Sequence, residues 1–162
     1  MVARRSITYC TIYGYGFYLN EDEVSDETIR NFVLNHRKSF GKTDEEMQIL
    51  DGFENITNAE ELEDFMSDID TSYMDKNSED CGLGAMVASI MSREIGIKFQ
   101  FWGPEEDFGT SPAIIWRATY PWMLNDREKL LTEEELYDIC RRYMEELGLD
   151  DDPEELDLTY YN

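Results

Sequence analysis

The sequence predicts an α+β fold: a small, mostly antiparallel sheet packed by several short helices and one longer C-terminal helix. Apolar side chains alternate along residues 6–19, 97–102 and 113–120, a spacing typical of strands. Between residues 24 and 92, apolar residues recur at helical spacing behind residues that commonly cap helices. Strand and helix patterns occur in separate groups, and this grouping favours α+β over an alternating α/β fold.

The strand patterns predict specific faces and connections. In the first strand the residues expected on one face are Ile7, Tyr9, Thr11, Tyr13, Tyr15, Phe17 and Leu19. Gly14 and Gly16 interrupt that strand and predict a bulge or a close backbone approach. The other two strands are joined by the acidic segment GPEEDFGTSP, so we expect an antiparallel hairpin.

Capping residues predict where the helices begin. The N-caps expected from the sequence are Ser25, Thr43, Asn58, Asp80 and Thr132. Three of them have a glutamate three residues later, namely Glu46, Glu61 and Glu135, which is the spacing of a capping box. Gly148 is expected to end the last helix. We therefore expect residues 1–148 to form one domain and residues 149–162 to form an acidic C-terminal tail.

The composition restricts the classes of partner. The chain has 37 Asp and Glu against 14 Lys and Arg, a formal net charge of -23. Such a field repels DNA, RNA and anionic membranes, whereas it attracts cations and basic proteins. The chain contains no long apolar run and no secretory signal pattern at its N-terminus. We therefore expect a cytoplasmic protein that binds neither nucleic acid nor membrane directly.

The acidic residues are segregated along the chain. Residues 43–92 contain fourteen Asp or Glu and a single base, Lys76, whereas residues 29–42 contain four Lys or Arg and no acid. Blocks of like charge are often interaction surfaces, although a solvated acidic face without a partner would have the same composition. The candidate partner-binding residues are Glu60, Glu61, Glu63, Asp64, Asp68, Asp70, Asp75, Glu79 and Asp80. Apolar anchors between them would be Phe53, Phe65, Tyr73 and Met74.

The same stretch also matches part of a calcium-binding loop. Counting from Asp68 places Asp68, Asp70 and Ser72 at positions 1, 3 and 5 of an EF-hand loop and Glu79 at position 12. Two positions do not fit, because Tyr73 stands where the turn needs glycine and Asp75 stands where an apolar residue is usual. A calcium- or metal-binding regulator is therefore the alternative function. No other cofactor is expected.

The cysteines and the single histidine give no catalytic or metal motif. Cys10, Cys81 and Cys140 are widely separated, which favours free thiols; they would form a zinc site with His36 only if the fold brought all four together. His36 continues the apolar stripe of a helix, so we expect a partly buried residue at the end of that helix. No nucleophile elbow, zinc-protease or phosphate-loop motif is present, and we do not expect an enzyme.

In its size, its acidity and its short capped helices, the chain resembles phage-encoded inhibitors of host defence. The nearest groups are the anti-CRISPR proteins that block Cas9-type nucleases and the DNA-mimic anti-restriction proteins. The segments ITYCTIYGYGF and YPWMLNDREKLLTEEEL also look like small proteins of bacterial mobile elements. The resemblance implies stoichiometric inhibition of a nuclease in a bacterial host cell, by a block of its guanine-reading groove or heteroduplex channel or by conformational locking. An adaptor for another basic protein remains open.

Overall fold

The computed structural model describes residues 9–20, 23–75, 80–103, 111–118 and 120–161 of the chain, with seven α-helices and one four-stranded sheet. The strands are β1 (Tyr9–Tyr18), β2 (Phe99–Trp102), β3 (Ala113–Trp116) and β4 (Glu154–Tyr161). They are antiparallel throughout, in the order β2-β3-β1-β4. The predicted α+β class and the predicted β2–β3 pairing are confirmed.

The seven helices occupy the chain between the strands. They are α1 (Asp26–Asn35), α2 (Arg37–Phe40), α3 (Asp44–Asn55), α4 (Ala59–Ser72), α5 (Gly82–Ile95), α6 (Asp126–Lys129) and α7 (Glu133–Glu146). The C-terminal helix α7 has 14 residues, the same length as α4 and α5, so the prediction of one longer C-terminal helix is wrong. Within the described ranges, no helix has both the length and the apolar character that crossing a membrane would require.

Four of the five predicted N-caps are confirmed. The side chains of Ser25, Thr43, Asn58 and Thr132 each accept a hydrogen bond from the backbone amide three residues later. The prediction for Asp80 is wrong, because Cys81 is the N-cap of α5 and Asp80 Oδ2 instead accepts from the amide of Phe101 at 3.1 Å. Gly148 follows α7 with φ of 74°, as expected for a helix stop.

The main core lies between the helices and one face of the sheet. Buried side chains on that face include Tyr15, Phe17 and Trp116, and α5 contributes Met86, Ile90 and Met91. The opposite face of the sheet carries a smaller cluster of Ile12, Ala113, Ile115, Leu156 and Leu158. Both faces of the sheet therefore bury apolar surface.

The face of β1 that was predicted from the alternating residues is buried only near the C-terminal end of the strand. Tyr15, Phe17 and Leu19 are buried, whereas Thr11 and Tyr13 on the same predicted face are exposed. Gly16 packs closely against β3, since a Cβ at this position would overlap the carbonyl oxygen of Ile114. The expected close backbone approach is therefore found at Gly16.

The C-terminal segment differs from the prediction. Residues 149–162 were expected to form an acidic tail outside the domain, but Glu154–Tyr161 is an edge strand paired with residues 9–16 of β1. Leu156 and Leu158 enter the smaller cluster while Glu155 and Asp157 are exposed. The segment forms a strand despite its charge, because the alternation of apolar and acidic residues lets both leucines be buried.

Candidate partner-binding surface

The acidic face of α4, which we define as Glu60, Glu61, Glu63, Asp64, Asp68 and Asp70, is exposed to solvent at every position. Helix α4 attaches to the molecule through the opposite side, where Leu62, Met66 and Ile69 are buried. These three follow the i, i+4, i+7 spacing of an amphipathic helix, so the intervening carboxylates project outward. Residues 59–72 contain no Lys or Arg.

Helix α3 packs against α4. A Cβ at Gly52 would overlap the ring of Phe65, so the glycine lets the two helices approach closely. Phe65 also meets Phe53 edge to face, with ring centroids 5.2 Å apart. These contacts fix α4 against the core and present its carboxylates on a rigid element.

The carboxylates of this face have no cationic partner in the described part of the chain. None of the salt bridges found there includes a residue of the acidic face. The side chain of Asp70 has one hydrogen bond, in which its Oδ1 accepts from the amide of Leu83 at 3.1 Å. Asp70 therefore satisfies a donor at the start of α5, and the other members of the face remain directed at water.

The remaining predicted partner-binding residues lie elsewhere. Asp75 is buried, 8 % exposed, and its amide donates to the carbonyl of Asp80, which lies shortly before α5. Asp80 is half-buried and bonded to Phe101. Glu79 lies outside the described residues. Burial removes Asp75 from the exposed surface that the sequence predicted.

The predicted apolar anchors are mostly part of the core. Phe53 and Tyr73 are buried and Phe65 is half-buried, so only Met74 is exposed. Exposed aromatic residues occur elsewhere, among them Tyr120 and Trp122, whose rings stack with centroids 4.7 Å apart. Their exposure could not be read from the sequence, because an aromatic pair around a proline is equally compatible with a core position.

The calcium-loop prediction is wrong about the backbone. Asp68, Asp70 and Ser72 belong to helix α4, which runs through the first five positions of the predicted loop. Because residues two apart in a helix point in different directions, these oxygens cannot converge as EF-hand ligands do. Ser72 Oγ donates to the carbonyl of Asp68 at 2.6 Å, and Asp70 bonds Leu83. Calcium binding itself stays a prediction, which calorimetry with calcium would test.

The candidate zinc ligands Cys81, Cys140 and His36 have different surroundings. Cys81 is exposed at the start of α5, whereas Cys140 is buried in α7, where burial raises the pKa of its thiol to about 12. His36 uses both ring nitrogens for glutamates, and the side chain of Cys10 lies outside the described part. Across the residues that the structure describes, no group of three or more His, Cys, Asp or Glu is placed to hold a metal ion.

His36 lies at the C-terminal end of α1 and is partly buried between two carboxylates. Its Nδ1 lies 2.8 Å from Glu94 and its Nε2 lies 2.8 Å from Glu146. Burial by itself lowers the pKa of His36, but the hydrogen bonds to both glutamates outweigh it and raise the pKa above the usual 6.5. Ser39 donates to Glu94 rather than to His36, so the group lacks the bond from nucleophile to base that a hydrolase triad needs.

A buried carboxylate, that of Glu46, forms a second ion pair with Arg93. Glu46 is 2 % exposed, and its two carboxylate oxygens accept hydrogen bonds from Nη1 and Nη2 of Arg93, each at 2.8 Å. Tyr73 donates its hydroxyl to the same carboxylate at 3.0 Å. The bidentate pairing joins α3 to α5. Glu46 was predicted to complete a capping box with Thr43, but its side chain takes these tertiary partners instead.

Comparisons with known proteins identify no relative of the chain. The chain matches no protein-family model, and no curated protein or solved structure is significantly similar to it.

Proposed function

We propose that this protein is a non-enzymatic inhibitor that binds a basic nucleic-acid-processing protein through the acidic face of α4, with a Cas9-type nuclease as the candidate target. The observation that carries the proposal is a helix with six exposed carboxylates and no base of its own. No salt bridge in the described ranges includes these six carboxylates, so they are available to an external cation.

The spacing of charge on α4 supports mimicry of a nucleic-acid strand. At a rise of about 1.5 Å per residue, its 14 residues span about 21 Å. Six carboxylates over that length give about one charge per 3.5 Å. The phosphates along one strand of B-DNA follow each other at about 3.4 Å. A channel lined with Lys and Arg would therefore meet a similar linear charge density on this helix.

Long-range attraction would speed the encounter with a basic target. A net charge of -23 steers a cationic surface toward the protein at rates that fall as salt is added. Rigid attachment of α4 to the core means that little order has to be gained on binding, which lowers the entropic cost of the complex. The inhibitor would act in the cytoplasm of a bacterial host cell, where such nucleases work.

The test is cleavage of DNA by a panel of Cas9-type nucleases with and without the protein, at two salt concentrations. We expect stoichiometric inhibition that weakens at the higher concentration. Replacing Glu60, Glu63, Asp64 and Asp68 by Lys should abolish it while circular dichroism still reports a folded protein. The matched control replaces Glu134, Asp138, Asp150 and Asp151 by Lys, which changes the net charge equally but away from α4.

Each outcome of that comparison has a different meaning. Inhibition lost only in the α4 variant supports this face as the binding surface. Equal loss in both variants would mean that overall charge alone matters and would contradict the assignment to α4. No inhibition by the unmodified protein across the panel would remove Cas9-type nucleases as the target.

A further inference from the structure

A cleft of about 450 Å³ opens beside the acidic face, between α1, α4 and α5. Its volume lies within the range of about 300–1,000 Å³ that is usual for ligand sites. Met66, Leu83 and Phe101 form apolar parts of its lining, and Asp26 and Asp70 contribute carboxylates. Gly84 lines it beside Phe101, where a Cβ would overlap the phenyl ring. The cleft is thus an apolar space with anionic groups in its lining.

The two carboxylates retain unused acceptor capacity. Asp70 uses Oδ1 for the amide of Leu83, which leaves Oδ2 without a hydrogen bond from the described residues. Asp26 is half-buried in the first turn of α1 and forms none of the salt bridges found in the described ranges. A neutral occupant would strip water from these carboxylates without replacing it, which is unfavourable. Charge complementarity therefore selects a cation with an apolar stem.

We infer that this cleft binds an arginine side chain of the basic partner. The aliphatic stem would lie against Met66 and Leu83, while the guanidinium would donate to Asp26 and Asp70 and face the ring of Phe101. Arginine fits better than lysine because its planar group is weakly hydrated, donates along several directions and stacks on aromatic rings. The inference rests on the proposed function. Asp70 links the acidic face to the cleft, because it is the last residue of that face and also lines the cleft.

The first experiment needs no partner protein. The protein carrying ¹³C-labelled methyl groups in Met and Leu is titrated with n-butylguanidinium, with neutral n-butylurea and with n-butylammonium, while NMR follows Met66 and Leu83. We expect saturable shifts of these two methyl signals with n-butylguanidinium and weaker binding of the other two. The combined change of Asp26→Asn and Asp70→Asn should weaken binding about tenfold, because charge-assisted hydrogen bonds are lost.

Asp70→Asn keeps an oxygen for the Leu83 amide, so the start of α5 is preserved in that variant. The matched control combines Glu27→Gln and Asp51→Asn, since it removes two exposed charges that lie outside both the cleft and the acidic face, and we expect it to leave binding unchanged. Absence of saturable shifts at Met66 and Leu83 would overturn the inference. It would also be overturned by equal binding of n-butylurea or n-butylammonium, or by equal weakening in the control with Glu27→Gln and Asp51→Asn.

The nuclease assay separates this inference from the proposed function. Inhibition that is lost in the Asp26→Asn and Asp70→Asn double variant, but kept in the Glu27→Gln and Asp51→Asn control, supports the cleft as part of the inhibitory surface. If n-butylguanidinium binds but no nuclease is inhibited, the cleft stands and the proposed function fails. If inhibition survives in the double variant, the proposed function stands and the role of the cleft is overturned.

Discussion

Two groups of carboxylates on the helices of this protein have opposite surroundings. Glu46, Glu94 and Glu146, which we call the paired carboxylates, each bond a cationic or ionisable side chain that is distant in the sequence. The acidic face of α4 carries twice as many carboxylates, and the salt bridges of the described ranges do not include them. One region holds helices together, and the other concentrates unpaired charge at the surface.

The difference shows that the same residue type has opposite effects on stability in the two places. Breaking the pairing of a buried carboxylate destabilises the fold, since removing one partner leaves the other charge buried. Exposed carboxylates at i and i+4 repel each other and weaken the helix that carries them. Carboxylates without partners therefore reduce stability on α4.

The largest expected effect comes from breaking the buried pair. Glu46→Gln should lower the free energy of unfolding by about 3–5 kcal/mol, because Arg93 would keep its charge in a partly buried position without its carboxylate. Urea denaturation followed by circular dichroism measures the change. Glu45→Gln is the matched control on the same helix, half-exposed and outside the salt bridges of the described ranges, and should change stability by less than about 0.5 kcal/mol. Similar losses in both variants would contradict the distinction.

The His36 group should give a smaller effect that depends on pH. The raised pKa of His36 means that its contribution is fully present below pH 6.5 and is lost as pH rises through the higher pKa of the folded state. For Glu94, burial raises the pKa, but hydrogen bonds from His36, Tyr143 and Ser39 outweigh it and lower the pKa below 4.5. The contribution of Glu94 is therefore present above pH 4.5 and is lost as pH falls through the lowered value.

Between pH 4.5 and 6.5 both contributions operate, so His36→Gln should cost most stability in that window. We expect a loss of about 1–3 kcal/mol at pH 5.5, declining at higher pH once imidazole is neutral in both states. Thermal melts from pH 4.5 to 9 measure it. The matched control is Lys38→Gln, which removes a neighbouring exposed charge and should have the same effect throughout the series. A loss in His36→Gln that is independent of pH would contradict the role of the imidazolium.

The paired carboxylates also show where prediction from sequence ends. Ser25, Thr43, Asn58 and Thr132 were predictable as caps because a cap and its amide lie three residues apart. The ion-pair partners of Glu46 and His36 lie 47 to 110 residues away, so no local pattern contains them. The outward direction of most α4 carboxylates follows from the helical spacing of Leu62, Met66 and Ile69. The burial of Asp75 depends on the turn into α5 and does not follow from that spacing.

The smallest expected effect has the opposite sign and isolates the repulsion on α4. Asp68 follows Asp64 by four residues, and neither belongs to a salt bridge in the described ranges. Asp68→Asn should therefore raise the free energy of unfolding by about 0.2–0.5 kcal/mol at low salt, since one like-charge contact is removed. Added salt should remove this gain, because screening weakens repulsion between exposed charges. Urea denaturation at two salt concentrations measures both, and a destabilised variant would mean that Asp68 has a favourable contact and belongs with the paired carboxylates.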